Sequence, residues 1–261
     1  RIKAEHKAVN LPETAGSSSM KNVYKSENIH RVLLKLSGEV LSGKKGIIYD
    51  ETVIDSLTDA IITVHNQNYE LGIVLGGGNI FRGGSWKNKN LNRVVLDSIG
   101  MLATIQNSLY MAEILISKGI DCAIFSTLAV DKVVDRYTPQ LASSALEQGK
   151  VCFFSGGTGN PYFTTDTAAV LRAVELQADI VLKATNVDGL YSADPKKDKN
   201  AHFISSASFE ECLQKRLGVM DLTAFSLAMD NAMPIKIFNI SQPQMLIEAL
   251  TNAETGTYIH P

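Results

Sequence analysis

Apolar residues fall along this chain in two alternating rhythms. Short solid runs at 31–36, 73–75, 121–125, 150–154, 180–182, 235–238 and 256–259 predict buried strands. Between them, apolar positions recur at helical spacing. Val53, Leu57, Ile61 and Val64 predict a helix capped by Asp50 and running to about Gln67. Leu96, Ile99, Leu102, Ile105 and Leu109 predict a long one over 92–117, apolar enough to be buried by more than its own chain. Further helices are expected at 139–148, 166–177, 208–216, 221–231 and 242–251. Strands alternating with helices imply a mainly parallel sheet covered on both faces.

In such sheets ligands sit at the carboxyl ends of the strands. The loops richest in Gly, Thr and Asn (37–38, 76–82 and 155–165) all follow predicted strands, so they should share one sheet edge. The run at 73–75 empties into Gly76, Gly77 and Gly78, with Arg82 four residues on. Bare backbone at a strand end allows close approach, and its free N–H groups suit an anion. Lys35 stands among Leu33, Leu34 and Leu36, so its ammonium must emerge and meet an anion. Ser37-Gly38 follows at once. Thr158 to Thr165 supply hydroxyls, an amide and backbone donors just before a helix start at Asp166, where negative charge is favoured. Thr165 is the expected N-cap. Asp97 and Asp166 are single carboxylates near these loops, and Tyr191 with Asp194-Pro195 forms a polar turn.

Three familiar signatures fail. Gly38-Glu-Val-Leu-Ser-Gly43-Lys44-Lys45 lacks the final hydroxyl of a P-loop, and β-branched Ile47 and Ile48 follow where a helix should begin. The pairs Gly76/Gly78 and Gly157/Gly159 lack the third glycine of a dinucleotide turn. No G-x-S-x-G occurs, and none of the 5 histidines lies in a Gly-rich loop.

Composition narrows the setting. The 261 residues are 45% hydrophobic and 20% charged, and the net charge of −2 gives no reason to expect nucleic acid or a membrane surface as partner. No uninterrupted apolar run approaches the roughly 18 residues of a bilayer span. Cys122, Cys152 and Cys212 are scattered, and the first two, in apolar strand-like runs, read as reduced core residues of a cytoplasmic protein. Residues 1–29 are polar and aperiodic, with Gly16-Ser-Ser-Ser19 before Met20. They are expected to be a leader or tail, appended up to residue 19, ahead of a single catalytic domain at 30–261.

Taken together, Lys35-Leu-Ser-Gly-Glu39, Gly76-Gly-Gly-Asn-Ile-Phe-Arg-Gly83, Asn92-Arg-Val-Val95, Gly100-Met-Leu-Ala-Thr104, Gly157-Thr-Gly-Asn-Pro-Tyr-Phe-Thr-Thr-Asp166, Lys183-Ala-Thr-Asn-Val-Asp-Gly189, Ala193-Asp-Pro195 and Val219-Met-Asp-Leu222 resemble the bacterial uridylate (UMP) kinases of the amino acid kinase family. The resemblance implies a three-layer αβα fold, phosphoryl transfer from ATP to UMP in pyrimidine nucleotide synthesis, Mg²⁺ carried by ATP rather than bound directly by side chains, and a homohexamer. It implies catalytic roles for Lys35, Arg82 and Asp166. Lys35, Leu36, Ser37, Gly38, Gly78, Arg82, Thr185, Asn186, Tyr191 and Asp194 match the ATP site. Gly77, Asp97, Thr158, Gly159, Asn160, Pro161, Tyr162, Phe163, Thr164 and Thr165 match the UMP site.

GTP as activator and UTP as inhibitor belong to the same resemblance. Here, however, 43–48 lacks the commoner F-G-I-D ending, and 110–117 carries no Arg or His to grip a regulatory phosphate. Two other readings compete. One is a family enzyme phosphorylating a carboxylate or carbamate, which the bulky Tyr162-Phe-Thr-Thr165 loop disfavours. The other is a non-catalytic nucleotide sensor, disfavoured by Lys35, Arg82 and Asp166 occurring together.

Overall fold

The computed structural model describes residues 28–43, 47–82, 90–193, 198–218 and 220–261. Residues 1–27 of the expected leader, Lys44 and Lys45 of the P-loop near-match, and Asp194 lie outside the described residues. In chain order the strands are β1 (Arg31–Leu36), β2 (Glu70–Leu75), β3 (Cys122–Ser126), β4 (Asp135–Arg136), β5 (Val151–Ser155), β6 (Ile180–Thr185), β7 (Leu190–Tyr191), β8 (Phe203–Ile204), β9 (Ser206–Ser208), β10 (Ile235–Asn239) and β11 (Thr257–His260). The helices are α1 (Glu51–His65), α2 (Arg93–Ser117), α3 (Pro139–Glu147), α4 (Thr165–Glu175), α5 (Phe209–Gln214), α6 (Leu222–Asp230) and α7 (Met245–Thr251).

Among the described residues, one sheet runs β4-β3-β5-β2-β1-β6-β10-β11-β9, and only its β10–β11 pair is antiparallel. The mainly parallel sheet expected from the pattern is therefore present. Strand β1 shows how it is buried on both sides. Val32, Leu34 and Leu36 enter one core with α1, α2 and α7, while Leu33 enters the other with α3, α4 and α6. Fully burying each such side chain contributes about 1.5–3 kcal/mol. Alternation puts Lys35 on the Leu33 side, facing the α4 layer.

Helix starts follow side-chain caps. Asp50 accepts from Thr52 N–H and Asn92 from Val94 N–H. The start of α4 differs by one residue from expectation: Thr164, not Thr165, is the N-cap, accepting from the N–H groups of Asp166 and Thr167. Helix α7 begins at Met245 rather than 242, because Met245 N–H closes a turn on the Gln242 carbonyl and Gln244 makes no side-chain cap. The strands β4, β8 and β9 are not anticipated by the pattern, since two or three residues carry no period.

Helix α2 corrects the membrane argument in part. It is 25 residues long, with mean hydropathy 1.3 over its most apolar 18-residue window, and passes a bilayer-span test by length and composition. Polar residues interrupt its apolar ones, so no single run betrays it. In the fold its Met111, Ala112 and Leu115 pack into the core beside β2 and β5.

Candidate active site

Parallel pairing of β1 with β2 and β6, and of β2 with β5, brings the loops after these strands to one edge. The first two loops touch backbone to backbone. Gly76 N–H donates to the Leu36 carbonyl at 2.8 Å, and a Cβ on Gly38 would stand 2.5 Å from both Gly76 O and Asn79 Oδ1. Only glycine fits there. Ser37 caps the 3₁₀ turn Gly38–Ser42, its hydroxyl accepting from Glu39 N–H.

Behind the glycine turn lies Asn107 of α2, fully buried. Its amide donates to Gly76 O (2.7 Å) and Asn79 Oδ1 (2.7 Å), and its carbonyl accepts from Tyr49 Oη (3.0 Å) and Asn79 Nδ2 (3.2 Å). With both donors and both lone pairs used, this side chain holds the turn in one geometry.

Lys35 does meet an anion, and it is Asp166. Nζ of Lys35 stands 2.8 Å from Oδ1, and Nζ of Lys183 stands 2.6 Å from Oδ2. All three side chains are largely buried, with 13–14% exposure. Asp166 arrives from the first turn of α4, while the lysines come from register-paired positions of β1 and β6. Burial alone would raise the Asp166 carboxyl. The two ammonium groups outweigh it and hold the group below its ordinary value. The result is a carboxylate bridging two cations, which fixes both at the strand ends.

On the other side of the glycine turn, a hollow of about 270 Å³ lies between α2 and the loop after β5. Of the expected acceptor residues, Gly77, Asp97, Thr158, Asn160, Phe163, Thr164 and Thr165 line it, together with Gly78. Gly159, Pro161 and Tyr162 belong to the same loop. Gly77 needs to be bare, because a Cβ would meet Gly100 O at 2.7 Å and the Ala103 Cβ at 2.8 Å. Gly156, Gly157 and Gly159 all have left-handed φ, which bends the loop back across α2. Thr104 of α2 accepts from Gly156 N–H at 2.8 Å. Asp97 ties down the loop's far end: Oδ2 accepts from Tyr162 N–H (2.7 Å) and Oδ1 from Arg93 Nε (2.8 Å). Tyr162 takes φ 72°, uncommon for a bulky residue, with the Arg93 guanidinium 5.5 Å from its ring centre.

The remaining expected residues sit around this centre. Arg82 Nη2 pairs with Glu39 at 2.7 Å and its Nε donates to Gly78 O at 3.1 Å, so it spans the first two loops. Thr185 ends β6, its hydroxyl donating to Val187 O at 2.7 Å. Asn186 is exposed in the next bend. Tyr191 packs edge-on to Phe203 in the β7–β8 ribbon.

Three residues in or beside this centre are not singled out by the sequence reasoning: Lys183, Asn107 and Asp221, the N-cap of α6, which bonds the Thr164 and Thr167 hydroxyls at the start of α4. Lys183 repeats the pattern of Lys35, a lysine ending an apolar strand run, and that repetition is the signal that could have found it. Asn107 has no such signal, and Asp221 has only its place in the Val219-Met-Asp-Leu222 motif, which assigns it no role. One is a polar residue in an apolar helix and the other looks like an ordinary helix cap. A larger hollow of about 420 Å³, lined by His30, His65 and Glu70 among others, opens at the opposite, amino edge of β1 and β2. It holds none of the expected residues. Among the described residues, no group of three or more His, Cys, Asp or Glu converges on a metal-sized site.

Comparison with known proteins agrees with this architecture. The sequence profile described as "Amino acid kinase family" matches residues 30–239. The uridylate kinase of Photorhabdus laumondii is 44% identical over 229 residues, covering 88% of this chain and 95% of the relative. That of Stutzerimonas stutzeri is 44% identical over 229 residues, covering 88% and 93%. Among solved structures, UMP kinase from Bacillus anthracis superposes with TM-score 0.85 at 33% identity, covering 88% of this chain and 95% of the other. UMP kinase from Ureaplasma parvum gives 0.85 at 35% identity, covering 90% and 100%. A sheet with its glycine loops at one edge, matched by profile, sequence and superposition over most of its length, leaves one conclusion: the chain belongs to the amino acid kinase family.

Proposed function

We propose that this chain is a UMP kinase, transferring the γ-phosphoryl group of ATP to UMP and yielding ADP and UDP. The observation that carries the reading is the Lys35–Asp166–Lys183 cluster beside the glycine turn, next to a hollow lined by Asp97 and the 157–165 loop. Relatives and superposable structures bearing the names uridylate kinase and UMP kinase support the choice of acceptor.

An oxygen of the UMP phosphate attacks the γ-phosphorus, and the bond from that phosphorus to the ADP oxygen breaks. The attacking oxygen is already ionised, so no strong general base is required. Catalysis then rests on alignment and on charge stabilisation of the moving group. Lys35 and Lys183 are suited to that stabilisation, with Asp166 orienting both. Arg82 and the N–H groups of Gly77 and Gly78 would receive phosphate oxygens, and Asp97 the acceptor ribose. Thr185, Asn186, Tyr191 and Asp194 would hold the ATP nucleoside. Mg²⁺ would enter with ATP and neutralise its phosphate charge.

We place the catalytic unit at 30–261, working in the cytoplasm. The exposed Val95, Ile99 and Leu102 of α2 support its assembly as a homohexamer. GTP and UTP are the effectors to test. ADP release measured with UMP, CMP, dUMP, acetylglutamate, aspartate and carbamate tests the reading. UMP should be strongly preferred, and preference for a carboxylate or carbamate, or binding without turnover, would overturn it.

A further inference from the structure

Thr164 lines the acceptor hollow, yet its hydroxyl is fully engaged. It donates to Asp221 Oδ2 and accepts from the N–H groups of Asp166 (3.2 Å) and Thr167 (3.3 Å). A hydroxyl has one donor and two lone pairs, so nothing remains for a ligand. Asp221 is the N-cap of α6, its Oδ1 accepting from Ala224 N–H at 3.0 Å. The same carboxylate accepts from the buried Thr167 hydroxyl at 3.3 Å. One side chain thus ties the start of α6 to the start of α4. Two residues into α4 is Asp166, the bridge between Lys35 and Lys183.

From this connectivity we infer that Asp221 is a positioning residue for phosphoryl transfer, acting through Thr164 to set the first turn of α4 and hence the Asp166 carboxylate between the two lysines. The inference deepens the proposed function and rests on it for the identity of the acceptor. It reassigns Thr164 from a hydroxyl contact with the acceptor to a link in the support of the charge cluster.

The substitution Asp221→Asn separates this role from plain helix capping. Asparagine is as good an N-cap as aspartate. With its carbonyl at the Oδ1 position it keeps the Ala224 bond. Its NH₂ then faces Thr164 Oγ, whose lone pairs already serve two backbone donors, so the Thr164 link is lost while the cap and the Thr167 bond at the Oδ1 position stay. Steady-state kinetics should show kcat lowered about 10- to 100-fold, the scale set by small misplacement of a charge cluster, with the acceptor KM little changed. Thr164→Val should act alike, and the double variant should be no worse than Thr164→Val alone. A raised acceptor KM at intact kcat would mean direct acceptor contact and would overturn the inference, as would additive losses.

A readout free of turnover accompanies these. In a ¹³C carboxyl titration, Asp166 should move up toward the ordinary carboxylate range in Asp221→Asn, and an unmoved Asp166 would also overturn the inference. If the unsubstituted chain fails to turn over UMP, the functional reading alone falls, and this titration still decides the role of Asp221. Thermal melting of Asp221→Asn near that of the unsubstituted chain confirms that folding is not what changed.

Discussion

Lys35 and Lys183 are register partners on neighbouring parallel strands, and both reach the same carboxylate. Two ammonium groups this close would repel one another without Asp166 between them. The arrangement therefore concentrates positive charge at the sheet edge without leaving an unpaired buried cation. Replacing either lysine with alanine is expected to lower kcat by about 10²- to 10³-fold, the usual effect of losing one preorganised group that stabilises transition-state charge. Melting temperature should change far less than rate. Steady-state kinetics beside a thermal melt checks both.

Asp97 has a different task. It holds Tyr162 N–H and Arg93 at the mouth of the hollow. Asp97→Ala should raise the acceptor KM about 10- to 100-fold, since hydrogen bonds to a charged group are lost. The KM for ATP should stay close to its original value. An equal effect on both nucleotides, measured by titrating each at saturating concentration of the other, would contradict the division of the site.

Neighbouring glycines should respond unequally. Alanine at Gly77 would press on Gly100 O and Ala103, an overpacking worth about 1–3 kcal/mol. At Gly78 the nearest atom to a new Cβ is Glu39 Oε1 at 3.6 Å, ordinary contact distance. Chemical denaturation should find Gly77→Ala destabilised and Gly78→Ala nearly unchanged in stability.

Asn107→Leu keeps the branched shape but removes the partner of Gly76 O, Asn79 Oδ1 and Tyr49 Oη. A loss of about 2–3 kcal/mol is expected. Nucleotide affinity should fall with it, because the glycine turn loses its backing. Denaturation and isothermal titration with ATP would measure the two effects.

Lys236 of β10 has no exposed surface and donates to Asn252 O at 2.8 Å. Burial pushes its ammonium down from 10.5 to about 8, against a smaller opposing pull from Glu254. A lysine whose folded value is depressed binds fewer protons folded than unfolded between those two values, so stability should rise with pH through that window. Lys236→Met is expected to be the more stable protein near pH 7, by up to about 3 kcal/mol. The gap should close as pH climbs from about 8 toward 10.5. Melting curves across that range decide it.

The sequence pattern made the architecture legible because strands buried on both faces read as solid apolar runs and helices as 3.6-residue stripes. It also located the glycine turn, since three bare residues after a strand have few other uses. Asp166 was visible as a carboxylate at a helix start and Lys35 as a cation in need of an anion, but the convergence of Lys35 and Lys183 on that carboxylate was not, because the register that pairs the two lysines is a property of the folded sheet. Thr164 and Asp221 are 57 residues apart in the chain, and no local pattern announces their hydrogen bond. Asn107 was hidden for a related reason: a buried amide in an apolar helix is explained only by what it touches.

Because Gly38 and Gly76 meet main chain to main chain, with Asn107 locked behind them, the donor-phosphate half of the cleft is one casting with little tolerance for redesign. Latitude lies on the opposite wall. There the side chains of Tyr162 and Phe163 are exposed, whereas Gly157, with φ 61°, is held to glycine by its backbone rather than by lack of space. Laboratory evolution toward another acceptor base should therefore accumulate its changes at the non-glycine positions of 157–165 and the facing turns of α2, leaving the glycine turn as it stands.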